Sequence, residues 1–293
     1  MNPNFSFAFI GGDLRQIQVI KRFAGEGYSI QTYGLENAVF PDGIAIKKCV
    51  SLKECCQNAD IVILPFPYSA GGETIRSSFS KKEIYLNEIL RHISGSQILF
   101  VGRADEQFQT LAKLYNIHFI DYGAREELAI RNSIPTVEGA ISIAMAETPF
   151  TIHQSNALVL GYGRIGKLLA DTLHALGAHV TVAARKQRDL AWIAAKGLTG
   201  ISFSQLPEVV SNSQLVFNTV PAMVLDFRLL SVLPDSACII DLASHPGGVD
   251  FATAKTLNKK VIWALSLPGK VAPETAGNIM KDTITNILQE LGV

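Results

Sequence analysis

The residues with the clearest chemical meaning are three glycines, Gly161, Gly163 and Gly166. They follow the apolar run Ala157 to Leu160, and Lys167, Leu168, Leu169, Ala170 and Leu173 then continue with helical spacing to Gly177. Strand, glycine turn and helix in that order form a dinucleotide-binding fingerprint. In it, Gly161 makes the tight turn, Gly163 lets the backbone approach a pyrophosphate, and Gly166 lets helix and strand pack closely. The first helical amides, from Arg164, Ile165 and Gly166, and the positive end of the helix dipole face the anion. A second strand, His179 to Ala184, follows where the fingerprint requires one.

The end of that second strand bears on the cofactor. An NAD site places Asp or Glu there, about 20 residues past the glycine turn, on the ribose 2′-hydroxyl. Here the chain reads Ala184, Arg185, Lys186, Gln187, Arg188, with no acid and three bases. Guanidinium and ammonium groups pair with a 2′-phosphate, whereas a carboxylate repels it. NADP(H) is therefore the expected cofactor, with Arg185 the main contact and Lys186 or Arg188 assisting; NAD is the alternative. A solvated basic turn would carry the same residues.

Other candidates lie in loops that follow strands, where open α/β sheets bind ligands. They are Gly11 to Gln16 with Asp13 and Arg15, Asn218 to Met223, Asp241 to Gly248, and Leu267 to Gly277. Asn218, Thr219 and Pro221 are expected to position the cofactor. His245 is the group best suited to moving a proton near neutral pH, although a hydrogen-bonded loop histidine reads the same way. Asp13 reads equally as a helix cap, and Lys270 as a surface lysine. Arg103, Arg125 and Arg131 add cationic charge, and bidentate arginines suit carboxylates, so an anionic substrate is expected. His92, His118, His153, His174 and His179 show no ligand spacing and read as structural, and no metal site is expected.

The elements that must hold these residues alternate strand and helix. Phe5 to Ile10, Tyr28 to Tyr33, Ile61 to Leu64, Gln97 to Val101 and Ile117 to Ile120 read as strands of a first sheet. Leu215 to Thr219, Ala237 to Asp241 and Val261 to Ala264 join the fingerprint strands in a second. A capping box of Ser80 and Glu83 predicts a helix through Ile84, Leu86 and Ile89. Pro135 is expected to break a helical stretch into two, from Gly123 to Arg131 and from Thr136 to Met145. Pro273 suits the first turn of a final helix. The fold class is α/β: two Rossmann-like, doubly wound parallel-sheet domains with a cleft between them. The expected boundaries are 1–150 for a substrate or partner domain with its connector helix, 151–272 for the NADP-binding domain, and 273–293 for a helix packing back on the first domain.

Composition narrows the function. Twenty-six basic and 26 acidic residues balance in 293, which argues against a nucleic-acid or membrane-surface protein. No apolar run reaches the roughly 20 residues that span a bilayer, and Met1 to Asn4 opens no signal peptide, so a cytoplasmic protein is expected. Cys49, Cys55, Cys56 and Cys238 are too scattered for a disulfide framework and read as reduced, mostly buried thiols.

Taken together, Gly11-Gly12-Asp13 with Arg15 and Gln16, Asn132 to Gly139, the glycine fingerprint, Asp241 to Ser244 with Pro246-Gly247-Gly248, and Leu267 to Gly277 give the chain a resemblance. It resembles, end to end, the dipicolinate synthase A subunits of spore-forming bacteria. The resemblance implies an architecture like that of alanine and D-2-hydroxyacid dehydrogenases, and a flavoprotein-like dipicolinate synthase B subunit as partner. It implies a reaction in the mother cell of a sporulating bacterium that turns a dihydrodipicolinate-level precursor of the lysine pathway into pyridine-2,6-dicarboxylate. A cyclic dicarboxylate needs cationic or amide-rich cradles. Arg15, Arg125, Ser244 and the Gly247-Gly248 backbone are the candidates for these, and His245, Asp13 and Lys270 are the candidate catalytic groups. Homo-oligomers are expected as well. The alternatives are another NADP-dependent dehydrogenase of a small carboxylate and a non-catalytic NADP-binding regulatory subunit.

Overall fold

The computed structural model describes residues 5–293; Met1 to Asn4, read above for a signal region, lie outside the described residues. The chain divides into two compact units, one of residues 1–132 with 272–293 and one of residues 133–271.

The first unit is built on a six-stranded parallel sheet. It is formed by β1 (Ser6–Ile10), β2 (Ser29–Tyr33), β3 (Ile46–Lys48), β4 (Ile61–Ile63), β5 (Ile98–Val101) and β6 (Phe119–Asp121), in the order β3-β2-β1-β4-β5-β6. Phe7, Phe9, Ile61, Ile63 and Phe100 on one face and Ala8, Ile10, Val62, Leu99 and Val101 on the other belong to separate buried clusters. Strands covered on both faces read as continuous apolar runs, as these do. The helix α1 (Leu14–Gly25) and the final helix α12 (Pro273–Glu290) pack together on one face, where Ile17, Ile20, Phe23, Ile279, Met280 and Ile284 are buried in one cluster. Gly277 allows their close approach, since a methyl there would lie 2.5 Å from the Gln18 Cβ.

The second unit repeats the plan with β7 (Asn156–Leu160), β8 (His179–Ala183), β9 (Thr199–Ile201), β10 (Leu215–Asn218), β11 (Cys238–Asp241) and β12 (Lys260–Trp263), ordered β12-β11-β10-β7-β8-β9. Both sheets are parallel throughout and carry the doubly wound order, so each unit is Rossmann-like. In each, the order reverses beside the first strand, β1 or β7. The crevice at its carboxyl end is where such sheets take ligands.

Three local expectations fail. Pro135 does not break the helix: α5 runs without interruption from Glu126 to Glu147 with the proline inside it. A mid-helix proline gives up one backbone hydrogen bond. Burial of Leu128 in one core and of Val137, Ala140, Ile141 and Ala144 in another outweighs that loss. The unit boundary at 132/133 falls within this helix. Ser80 does not start a helix: its hydroxyl accepts from the Lys82 amide, Ile84 pairs in the backbone with Ile75, and the helix α3 covers only Leu86–Leu90. The stretch after β12 is not a plain loop, because Leu267–Val271 forms the short helix α11. The four cysteines are free and buried. Among the described residues no helix is long and apolar enough to cross a membrane, and no group of His, Cys, Asp and Glu could hold a metal ion.

Candidate nucleotide and substrate sites

The glycine turn sits at the carboxyl end of β7 and leads into α6 (Arg164–Ala175). Its glycines are required for different reasons. Gly161 has φ +98°, and a methyl there would lie 2.6 Å from the Thr219 hydroxyl. A methyl on Gly166 would lie 2.2 Å from the Gly161 carbonyl oxygen, so helix and turn touch only because it has no side chain. Gly163 is exposed with φ −81°, and a methyl there meets no atom within 4 Å. The fold therefore needs Gly161 and Gly166 for itself but not Gly163. The space in front of Gly163 is what close approach of a pyrophosphate to the backbone requires. No side chain caps α6, whose first turn begins at Arg164 and Ile165. The turn fits a dinucleotide.

Beside it, Thr219 is locked to β7: its amide and hydroxyl both donate to the Leu160 carbonyl, the hydroxyl at 2.8 Å. Asn218, expected to contact the cofactor, does not lie open to it. It is fully buried, with Nδ2 donating to the Val220 carbonyl and to Asp241 Oδ1, and Oδ1 accepting from the Val220 amide. Its role is to shape the loop, while Pro221 stands exposed beyond it.

Asp241 is the centre of the neighbouring loop. This fully buried carboxylate accepts from Asn218 Nδ2 at 2.8 Å, the Ala243 amide at 3.0 Å and the Gly248 amide at 2.9 Å. The Gly247 amide donates to the Ser244 carbonyl. The Gly247-Gly248 backbone is thus consumed in closing its own loop and cannot cradle a substrate carboxylate. The glycines are needed because the chain passes closely there: a methyl on Gly248 would lie 2.2 Å from Asn218 Nδ2, and one on Gly247 would lie 3.0 Å from Asp241 Oδ2. The closed loop leaves Ser244 and His245 exposed at its crest. The His245 ring stands edge-on to Trp263 at 4.4 Å, and Trp263 is fixed by its Nε1–H bond to the Ala243 carbonyl and by stacking on Phe251. It is an exposed imidazole braced on an indole, a side chain of the type that serves as general acid or base. Lys270 lies exposed in the last turn of α11. His174 and His179 line a cavity of about 470 Å³ at the amino ends of β7 and β8, away from the glycine turn.

At the end of β8, Arg185 and Lys186 are exposed and no carboxylate occupies either position, while Arg188 pairs with Asp189 at 3.4 Å.

The glycine turn of the first unit is different. The Gly11 and Gly12 amides donate to the Tyr33 and Arg76 carbonyls at 2.8 and 2.7 Å, so neither serves an anion. Asp13 caps α1 through the Arg15 amide and also grips the Arg15 guanidinium, Oδ2 to Nη2 at 2.6 Å. Both oxygens of Asp13 are thus taken up in holding Arg15 and the start of the helix. Arg15 is 4% exposed, its Nε and Nη2 taken by Asp13 and its Cζ 5.7 Å from the centre of the Phe66 ring, which leaves Nη1. Arg125 is not available either: it bonds Glu290 through Nη1 and Nη2 and Glu127 through Nε. Those bonds raise its own pKa and hold the Glu290 carboxyl below its usual range, while Glu127 is lowered first by a backbone amide hydrogen bond and then by Arg125. Arg131 pairs with Asp282 at 3.0 Å.

Two Rossmann-like units, one carrying an open pyrophosphate turn, define a dehydrogenase-class protein with a nicotinamide-nucleotide half. Residues 136–264 match the family of D-isomer specific 2-hydroxyacid dehydrogenase NAD binding domains, and residues 6–123 match the N-terminal domain of the dipicolinate synthase A subunit. Across 99% of its length the chain is 35% identical to the dipicolinate synthase A subunit of Bacillus subtilis, covering 98% of that protein. The crystal structure of the Bacillus halodurans A subunit superposes with TM-score 0.89 at 33% identity, covering 97% of each chain. That of Bacillus subtilis superposes with TM-score 0.88 at 35% identity, covering 99% of this chain and 97% of the other. An L-alanine dehydrogenase shares the fold at 13% identity and TM-score 0.67. The chain belongs to the family of dipicolinate synthase A subunits. It is an NAD(P)-dependent oxidoreductase.

Proposed function

We propose that this oxidoreductase uses NADP(H) and forms pyridine-2,6-dicarboxylate from a dihydrodipicolinate-level precursor, in the cytoplasm of a sporulating cell and together with a dipicolinate synthase B subunit. The precursor and product follow from the family, whose relatives carry the name dipicolinate synthase. The observation that carries the catalytic half is the loop closed on Asp241, which lifts His245 into solvent against Trp263 at the carboxyl edge of the second sheet.

The Gly161–Gly166 turn and the first turn of α6 hold the pyrophosphate, and Arg185 with Lys186 pairs with the 2′-phosphate. When bound, the nicotinamide would supply the hydride acceptor that the oxidation of the precursor ring requires. His245 takes the proton that leaves with the hydride, and Lys270 is the second candidate at that edge. Aromatisation makes the reaction downhill, so the residues mainly orient the ring and exclude water.

Two substitutions test this. Arg185→Asp shifts the preference from NADP toward NAD; unchanged cofactor kinetics remove the assignment. His245→Ala lowers turnover by roughly 100-fold or more with nucleotide affinity retained, the usual scale for general base catalysis. Wild-type turnover in that variant excludes His245 as the base.

A further inference from the structure

Arg76 stands out in the first unit. It is half-buried, its buried Nε has no hydrogen-bond partner, and no carboxylate pairs with its guanidinium among the described residues. A cation withdrawn from water without compensation costs stability. Arg15, Arg22, Arg125, Arg131 and Arg188 of this chain all have a carboxylate beside them. The location adds meaning. The Arg76 carbonyl accepts from the Gly12 amide at 2.7 Å, Ser78 donates to the Gly12 carbonyl, and Gly12 bridges with Ser77. Residues 76–78 are thus bonded to the turn that follows β1, at the carboxyl edge where β1 lies between β2 and β4.

A second unmet group lies beside the same turn. Gln16 is 1% exposed and packs against Gly12; its Nε2 donates to the Ile63 carbonyl, but its Oε1 accepts nothing. An arginine with no carboxylate partner among the described residues and a buried acceptor with no donor thus belong to residues bonded to or packed on one turn. Asp13 already neutralises Arg15 there, whereas no ion pair engages Arg76 among the described residues. The preceding segment, Ser69 to Thr74, consists of bends and an isolated bridge, which yield more readily to a ligand than helix or strand.

We propose that Arg76 is the anchor for a substrate carboxylate, and that the crevice of the first unit selects acids whose carboxylate adjoins a nitrogen or hydroxyl bearing a proton, which Gln16 Oε1 receives. The assignment rests on the anionic-substrate reading above and gives it a receptor that Arg125 and the Gly247-Gly248 backbone do not supply.

The test is calorimetric titration of the full chain, with NADP present, by piperidine-2,6-dicarboxylate and pyridine-2,6-dicarboxylate. The piperidine ring, with its N–H beside each carboxylate, binds the wild type more tightly. Arg76→Gln weakens both roughly 10- to 100-fold, the scale of a charged hydrogen bond. Arg76→Lys, which keeps the charge but not the fork, falls between, and Arg228→Gln changes nothing. The ligand-free Arg76→Gln chain unfolds at the wild-type temperature or above it, because the substitution removes a half-buried cation that no carboxylate offsets among the described residues; an arginine that served only the fold would lower it. Wild-type affinity in Arg76→Gln overturns the proposal, as does a wild-type chain that binds no carboxylate. If the wild type ignores both ring diacids but binds 2-oxo or 2-hydroxy monocarboxylates, and Arg76→Gln loses that binding, the anchor stands and the dipicolinate reading falls.

Discussion

Substituting alanine separately at Gly163 and Gly166 separates what the ligand demands from what the fold demands. At Gly163, φ is −81° and the new methyl meets no atom within 4 Å, so alanine fits the backbone without strain. As the residue capping α6, alanine is worse than glycine by roughly 0.5–1 kcal/mol. Against that, it narrows the unfolded ensemble by roughly 0.4–1 kcal/mol. The two nearly cancel, and the melting temperature of the ligand-free chain should move by no more than about 2 °C. Nucleotide affinity should nonetheless fall by roughly tenfold or more, since the methyl stands where the pyrophosphate must approach and about one charged hydrogen bond is lost. At Gly166 the methyl lies 2.2 Å from the Gly161 carbonyl oxygen and 2.9 Å from its carbon. Helix and turn must separate, at a cost of roughly 1–3 kcal/mol, and the melting temperature should fall by several degrees even without nucleotide. Thermal unfolding of both ligand-free variants, with nucleotide titration of each, decides the matter. A Gly163→Ala chain that is destabilised but binds nucleotide normally would refute the division.

Two further predictions concern buried and paired carboxylates. Asp241→Asn turns one oxygen that accepts a backbone or amide hydrogen into a donor facing another donor, in a fully buried site. The expected loss is about 2–4 kcal/mol with a disordered His245 loop, measured by denaturant unfolding; a loss under about 0.5 kcal/mol would mean the loop does not depend on that carboxylate. Glu290 is held below the usual carboxylate range, first by its hydrogen bond from Arg125. A depressed carboxylate stabilises the fold above its unfolded pKa, and that contribution disappears as pH falls through the folded value. The melting-temperature difference between wild type and Glu290→Gln should therefore be small but present above about pH 5 and should close as pH drops below about 4. A difference that widens in acid contradicts the pairing.

Sequence reading succeeds here where the signal is local. The Gly161 turn was legible because each glycine answers to neighbours within a few residues or to the next strand, and the parallel sheets were legible because doubly covered strands are apolar runs. The short strand Ile46–Lys48 was not, because it is an edge strand with Lys47 and Lys48 exposed and shows no alternation. Pro135 misled because propensity is local, whereas the burial that keeps α5 intact comes from distant cores. At the candidate sites, charge type was readable but availability was not. Arg125 and Arg76 look alike in sequence, yet Glu290, 165 positions away, occupies the first, and what distinguishes the second is the lack of such a partner. Likewise Gly247 and Gly248 suit an anion cradle by residue type, whereas their amides turn inward on the loop that Asp241 closes.

The central claim is tested most directly by supplying freshly generated dihydrodipicolinate and NADP to the purified chain, by itself and with the B subunit, while following absorbance of NADPH and pyridine-2,6-dicarboxylate together. The two products should appear in equal amounts and in step, and should all but vanish in His245→Ala. Tight NADP binding without either product, in the presence of the B subunit, would contradict the account.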